Sequence, residues 1–351
     1  MRKVLTDSLT LVPAAIPWDA TLRYVVGVGV PLTLLVAFGH TGFGVIAALG
    51  AMFASTRDPG GRVRDRIAIM VLTVVFTAAG AAFGVAIGHT LWATVAGVLV
   101  TATAAGWLHQ THPGIETSGR FAALGMVVGT GLDALGLADP RLALALIAGG
   151  VFAALVLAVD ALVRGGGSYT KIPPWSEGWR QLLSGNLAIV RFAGCYGLTA
   201  ALSLLVATEI GAERAYWVAA TTLLVMSPDA LGSWQRVIQR FVGTMVGILV
   251  AWGIVDMFHT PWALVAATMV LAVCVKPGSA RNYWVGVAMM CAMIMVLLDL
   301  ALLALGGDRH LLEVRLYDTM IGCAFAAAGT ELWRVAERWR AVRRPGEEMK
   351  G

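Results

Sequence analysis

Few residues in this chain could do chemistry, and their spacing narrows what that chemistry is. Arg23, Arg191, Arg236 and Arg240 each stand at the start of a strongly apolar segment, and Arg236 and Arg240 lie one helical turn apart. A guanidinium presents a planar fork of donors that grips a carboxylate with two prongs. Turned inward, these four arginines would form an electropositive vestibule for an organic anion; anchoring at the inner face of a bilayer accounts for the same placement. Asp133 and Asp299 fall near the ends of two other apolar segments, where a carboxyl could take up and release protons. A charge at the centre of a membrane helix costs about 2.5–3.5 kcal/mol, so one that is retained faces a partner or a wet cavity. Near an interface that penalty shrinks, and snorkelling or pairing with a nearby arginine is the competing explanation for both aspartates. Tyr216, Trp217, Trp234, Tyr283 and Trp284 offer aromatic surface for a ring, or form an interfacial belt.

No soluble catalytic constellation accompanies them. The chain has no GxxxxGK[ST] phosphate loop, no GxSxG elbow and no HExxH pair. We therefore expect neither ATP hydrolysis nor any other enzymatic activity, and no cofactor. His109 and His112 are three apart but lack a neighbouring carboxylate or thiol to complete a metal shell, so no metal site is expected. His40, His89 and His259 each precede a threonine that opens an apolar run, at Thr41, Thr90 and Thr260, the last followed by Pro261. This is ordinary N-cap punctuation. Cys195, Cys274, Cys291 and Cys323 all lie within apolar segments and read as small packing residues.

The elements that must position these groups are membrane helices. Of 351 residues, 58% are hydrophobic and 13% charged, and the mean hydropathy is +0.77, far from the roughly 25% charged residues of a soluble chain. A spanning helix needs about 20 apolar residues because hydrocarbon leaves no water to satisfy free backbone groups. Twelve stretches qualify, near 22–38, 41–56, 67–88, 92–109, 119–137, 142–163, 190–208, 215–231, 237–257, 262–275, 281–305 and 316–335. Residues 1–17 carry acidic and proline residues and do not read as a cleavable signal peptide. The net charge of +5 follows topology rather than nucleic acid. With the N-terminus inside, 22 of the 26 basic residues fall on the inner side, and only Arg141, Arg214, Arg309 and Arg315 fall outside. The expectation is a multi-pass protein of the cytoplasmic membrane with both termini cytoplasmic.

The chain also reads as one unit used twice. Arg23 and Arg191 open corresponding segments at an offset of 168; His89 to Ala96 pairs with His259 to Ala266 at 170; Arg62 and Arg66 pair with Arg236 and Arg240 at 174. Asp133 pairs with Asp299 at 166, and Arg141 with Arg315 at 174. Six spans per half is an even number, which predicts an all-α fold of about twelve transmembrane helices in two parallel six-helix repeats, with any binding site between them. The units are 1–165, a linker at 166–189, 190–335, and a basic tail at 336–351. Trp175 and Trp179 in the linker suit a short amphipathic helix at the inner interface. The tail suits anionic lipid. Gly80 with Gly84, and Gly243 with Gly247, are GxxxG pairs that let helix backbones approach closely.

The stretch from Ala215 to Gly247 carries a recognisable pattern: Tyr216-Trp217, an apolar run, a turn with Pro228 and Asp229, then Gln239, Arg240, Gly243, Thr244 and Gly247 in the order QR-x-x-GT-x-x-G. This pattern resembles the fusaric acid resistance and aromatic acid exporter family of integral membrane transporters. The first half has Gly42-Phe43-Gly44 where the tyrosine-tryptophan pair would stand. The resemblance implies an inner-membrane exporter of small organic acids, aromatic or otherwise hydrophobic, with proton coupling as one option. A distant likeness to plant malate channels leaves passive anion conduction open, and a non-transporting scaffold for envelope enzymes is the remaining alternative. Expected partners are the lipid bilayer and a small organic anion, not nucleic acid. A second copy of the chain or an accessory envelope protein is a further candidate.

Overall fold

Long apolar runs without internal breakers become helices, and a computed structural model of the chain contains thirteen principal α-helices with no strand among the residues it describes. Those residues are 8–56, 60–109, 111–132, 139–165, 173–184, 187–227, 230–303 and 310–343. In order the helices are α1 (Trp18–Ala37), α2 (Thr41–Thr56), α3 (Val63–Ile87), α4 (Leu91–Trp107), α5 (Pro113–Leu132), α6 (Pro140–Arg164), α7 (Trp175–Leu183), α8 (Leu187–Glu209), α9 (Ala215–Val225), α10 (Ala230–Met257), α11 (Pro261–Arg281), α12 (Tyr283–Leu302) and α13 (His310–Arg343). Among the described residues, seven helices are long and apolar enough to cross a membrane: α1, α3, α6, α8, α10 from Trp234, α11 and α12. Helices α2, α4 and α9 are apolar but shorter. Each of the twelve predicted stretches overlaps a helix, with bounds that differ by several residues in places. The run at 262–275 continues through Pro277 to Arg281, whereas the helix that opens the run at 215–231 stops at Val225 and the next one starts at Ala230.

Helices α2 and α9 are buried on nearly every face, the position expected of a helix that is apolar all round. Around α2, α6 packs along its length, α1 and α3 flank it, and α3 also lies against α5 and α6; α4 adjoins α3 and α5, and α1 adjoins α6. Around α9, α13 packs along it, α8 and α10 flank it, and α10 also lies against α12 and α13; α11 adjoins α10 and α12, and α8 adjoins α13. The two groups meet where α4 packs on α8 and α1 on α11, with α5 touching α9 and α2 touching α12.

Glycine decides the tightest of these crossings. A side-chain carbon at Gly80 or Gly84 would collide with the backbone carbonyls of Ala122 or Met126 on α5, and one at Gly125 or Gly129 with those of Thr77 or Ala81 on α3. At Gly243 and Gly247 it would come within 2.5 Å of the Trp284 and Ala288 carbonyls on α12. Both GxxxG pairs therefore bring helix backbones together. Helices α1 and α8 end alike. Gly39 (φ 77°) and Gly211 (φ 75°) adopt left-handed backbone, and the amides of His40 and Ala212 donate to Leu35 and Ala207, 2.8 and 2.9 Å away. This is the six-to-one closure of a Schellman cap. Of the predicted caps, Thr260 accepts from the Ala263 amide at 3.4 Å, while the Thr90 side chain makes no cap bond.

The linker helix α7 docks on the α4–α5 turn. Trp175 stacks on His112 with ring centroids 3.9 Å apart, and Gly114 and Gly178 leave room for Trp175 and His112 respectively. Trp179 stays exposed.

Candidate functional site

The predicted vestibule arginines do not share one environment. Arg23 on α1 is bound to Asp160 on α6 at 2.5 Å, and Asp160 also holds Arg164, which reaches Asp19. Arg191 at the start of α8 pairs with Glu337 on α13 at 3.4 Å. Each is thus half-buried and tied across one end of its own group of helices. Arg236 is half-buried on α10. Trp234 donates to Glu331 at 2.7 Å. Arg240 differs: it is 6% exposed, and its Nε has no hydrogen-bond partner. Asp299 is half-buried near the end of α12, while Asp133, Pro228 and Asp229 lie outside the described residues. His109 is held by Arg120 at 2.9 Å and by Glu116 at 3.4 Å, and His112 by Trp175.

Arg240 opens a polar cluster inside the second group of helices. Close enough to repel it stands Arg315 of α13, which is 8% exposed and likewise has an unpartnered Nε. The sequence placed Arg315 among the outer basic residues, just before a span beginning at 316. In the folded chain it is inside the bundle, its guanidinium 4.4 Å from the centroid of the Trp217 ring. Arg214 approaches the same ring at 5.5 Å and donates to the Tyr216 hydroxyl at 3.4 Å. Tyr216 in turn lies in the space left by Gly131 on α5, so the cluster adjoins the first group of helices. One turn beyond Arg315, Asp318 is 1% exposed with neither oxygen hydrogen-bonded. The hydroxyls of Thr221 and Thr244 are also buried and unpartnered.

Helix α9, which carries Tyr216, Trp217 and Thr221, is short. Its 11 residues span about 16 Å, roughly half the hydrocarbon thickness. It stops at buried Met226 and Ser227, and irregular backbone at that depth is tolerated where protein covers it. The ending is satisfied locally: the Met226 amide donates to the Thr222 carbonyl at 3.1 Å, and the Tyr196 hydroxyl donates to the Leu223 carbonyl at 2.5 Å. The Thr222 hydroxyl bridges to the Gly322 carbonyl of α13 at 3.2 Å.

The remaining motif residues build the frame. Gly243 and Gly247 set the α10–α12 crossing. Gln239 donates to Asn282 and to the Ser8 carbonyl, both at 3.0 Å. Asn282 also donates to Ser8 and Thr10, and Trp284 to Leu9, so residues 8–12 are strapped beneath the α11–α12 turn.

The arrangement can hold an anion. The buried guanidiniums of Arg240 and Arg315 outnumber the buried carboxyl of Asp318, with the Trp217 indole beside Arg315 and Arg214, and the Thr221 and Thr244 hydroxyls without partners. Residues 198–329, which include nearly all of this cluster, match the model of the family described as fusaric acid resistance protein-like. The chain is 30% identical over 155 residues to the uncharacterized protein YhfK of Escherichia coli, covering 44% of this chain and 22% of that protein. It is 32% identical over 124 residues to the inner membrane protein YccS of the same organism, covering 35% of this chain and 17% of that protein. It is 28% identical over 161 residues to the uncharacterized protein ORF2 of Neisseria gonorrhoeae, covering 44% and 36%. The matched segments thus span well under half of each relative. No solved structure matches the chain. The likeness to the fusaric acid resistance protein-like family thus rests on the segment 198–329, which carries the motif glycines that cross α12 together with Arg240 and Trp217.

Proposed function

We propose that the chain is a twelve-span inner-membrane exporter of small organic acids, aromatic or hydrophobic, with its anion site at Arg240, Arg315 and Trp217. The observation that carries this reading is the pair of buried guanidiniums, each with an unpartnered Nε, beside an indole face. An unpaired buried cation is strongly unfavourable. A carboxylate supplies what the pair lacks, and an aromatic ring lies naturally beside Trp217. Arg23 and Arg191, each tied to an acidic partner, then belong to the inner ends of the bundle rather than to the binding step.

A duplicated architecture supports the same reading. Every principal helix contact in the first group has a counterpart in the second when α1–α6 is superposed in order on α8–α13, and the contacts between groups pair in the same way. The matched glycine caps after α1 and α8 add to it. Parallel repeats related by an axis along the membrane normal place substrate sites near the repeat interface, which the cluster adjoins through Tyr216 and Gly131.

The test is counterflow in proteoliposomes loaded with benzoate, salicylate, hexanoate or succinate. The expected result is exchange of the monocarboxylates by the wild type and its loss in Arg240→Ala. Absence of exchange for every acid would sink the reading. Flux that follows the imposed voltage without counterflow would replace the carrier with a passive channel.

A further inference from the structure

Asp318 is a carboxyl sealed inside the helix bundle, 1% exposed, with no hydrogen bond to either oxygen. The groups that face it come from several elements. Arg315 is on its own helix, three residues away; Arg214 and Glu213 come from the segment before α9, and Tyr216 from α9 itself. Through Arg315 the set extends to Arg240 on α10 and Cys291 on α12. Helix α8, also packed on α13, directs Cys195 to the Gly329 carbonyl and Arg191 to Glu337, farther along. Asp318 is therefore the acidic member of the cluster that also holds Arg240, Arg315 and Trp217.

We propose that Asp318 is the proton-carrying group of the transport site, and that an organic anion and a proton on Asp318 occupy the site together. The inference rests on the anion site described above. An incoming carboxylate held by Arg240 and Arg315 adds a second carboxylate to one buried site. Two like charges at such range in a low-dielectric interior do not both stay ionised, so one of them takes a proton. The substrate carboxylate has two guanidiniums to hold it in the charged form, whereas Asp318 has no hydrogen bond at all. The proton goes from solvent to a carboxylate oxygen of Asp318, and no covalent bond to the substrate is made or broken. Because linkage is reciprocal, a proton on Asp318 tightens the anion to the same degree that the anion tightens the proton. The cargo is then an acid in two parts, an anion on the arginines and a proton on Asp318, crossing in the same direction without net charge. This sense of coupling is opposite to protons entering through Asp133 and Asp299 in exchange for an outgoing anion.

The experiment is benzoate binding to the detergent-purified full chain in weakly buffered solution at pH 8, with a soluble pH indicator reporting proton uptake. The expected result is close to one proton taken up per benzoate bound, with affinity rising by up to about tenfold per unit fall in pH. Asp318→Asn is expected to bind benzoate with no proton uptake and no pH dependence, and Asp318→Glu to restore both. An infrared difference spectrum of the wild type, with minus without benzoate, is expected to gain a protonated-carboxyl band. Benzoate binding by the wild type without proton uptake, or equal uptake in Asp318→Asn, overturns the role of Asp318 and leaves the anion site standing. No benzoate binding by the wild type overturns the anion site and this inference with it.

Discussion

In the proposed site, Arg315 and Arg240 act through geometry as well as charge. The guanidinium of Arg315 lies 4.4 Å from the Trp217 centroid, a cation–π contact worth up to about 2 kcal/mol once desolvated. A lysine there keeps the charge but loses the planar fork and the stacking. Arg315→Lys and Trp217→Leu are therefore each expected to weaken benzoate binding about tenfold, roughly 1.4 kcal/mol. Hexanoate, which gains little from the indole, is expected to weaken less in Trp217→Leu; equal losses for both acids in a titration calorimeter would remove Trp217 from the site. Arg240 was legible from the sequence because it sits in a motif and one turn from Arg236. Arg315 and Asp318 were not. They occupy the first turns of α13, where hydropathy alone places a boundary and the positive-inside count assigns the arginine to the outer surface. Only packing against Trp217 and Arg240, far away in sequence, reveals that this end of the helix is inside protein.

At the scale of elements, hydropathy and small-residue spacing located nearly every helix and both glycine crossings, since those depend on local composition. What stayed hidden was where helices stop inside the bundle. Helix α9 ends at Val225, where the Tyr196 hydroxyl donates to the Leu223 carbonyl and the Thr222 hydroxyl donates to the Gly322 carbonyl of α13, and those partners are invisible from within the segment 215–231. The linker helix shows the same division. Its amphipathic character is plain in the sequence, whereas its seat on His112 is not. His112 is 1% exposed, and burial pushes its imidazole below the ordinary histidine value, against smaller opposing effects of the Pro173 backbone and Asp65. A histidine whose pKa is lowered by docking binds its proton more readily undocked, so docking is full above the ordinary value of about 6.5 and weakens as pH falls through the lowered folded value. Hydrogen exchange over 175–183 is therefore expected to be slow at pH 7.5 and faster at pH 5, after correction for intrinsic rates, and fast at both in Trp175→Ala. Protection that is unchanged between the two pH values would show that the stacking does not depend on a neutral His112.

For the whole molecule, the charges predict an orientation. Twenty-two of the 26 basic residues fall on the side predicted to be cytoplasmic, and two of them, Arg23 paired with Asp160 and Arg191 paired with Glu337, tie helix ends together. Two parallel six-helix units need the linker between them on the same face as the N-terminus, since an even number of crossings returns the chain to its starting side. The strap of residues 8–12 beneath Asn282 and Trp284 agrees with this, because it puts the N-terminal segment and the α11–α12 turn on one face. The turns after α1, α3, α8 and α10, with exposed His40, His89 and His259, then lie on the opposite face. In a full-length background with Cys195, Cys274, Cys291 and Cys323 replaced by alanine, His40→Cys and His259→Cys are expected to react with a membrane-impermeant maleimide in intact spheroplasts. Ser184→Cys is expected to react only in inside-out vesicles. Labelling of His40→Cys and His259→Cys from opposite faces would mean an odd number of crossings between them, which breaks the parallel repeat and moves any shared site away from the contact between Tyr216 and Gly131.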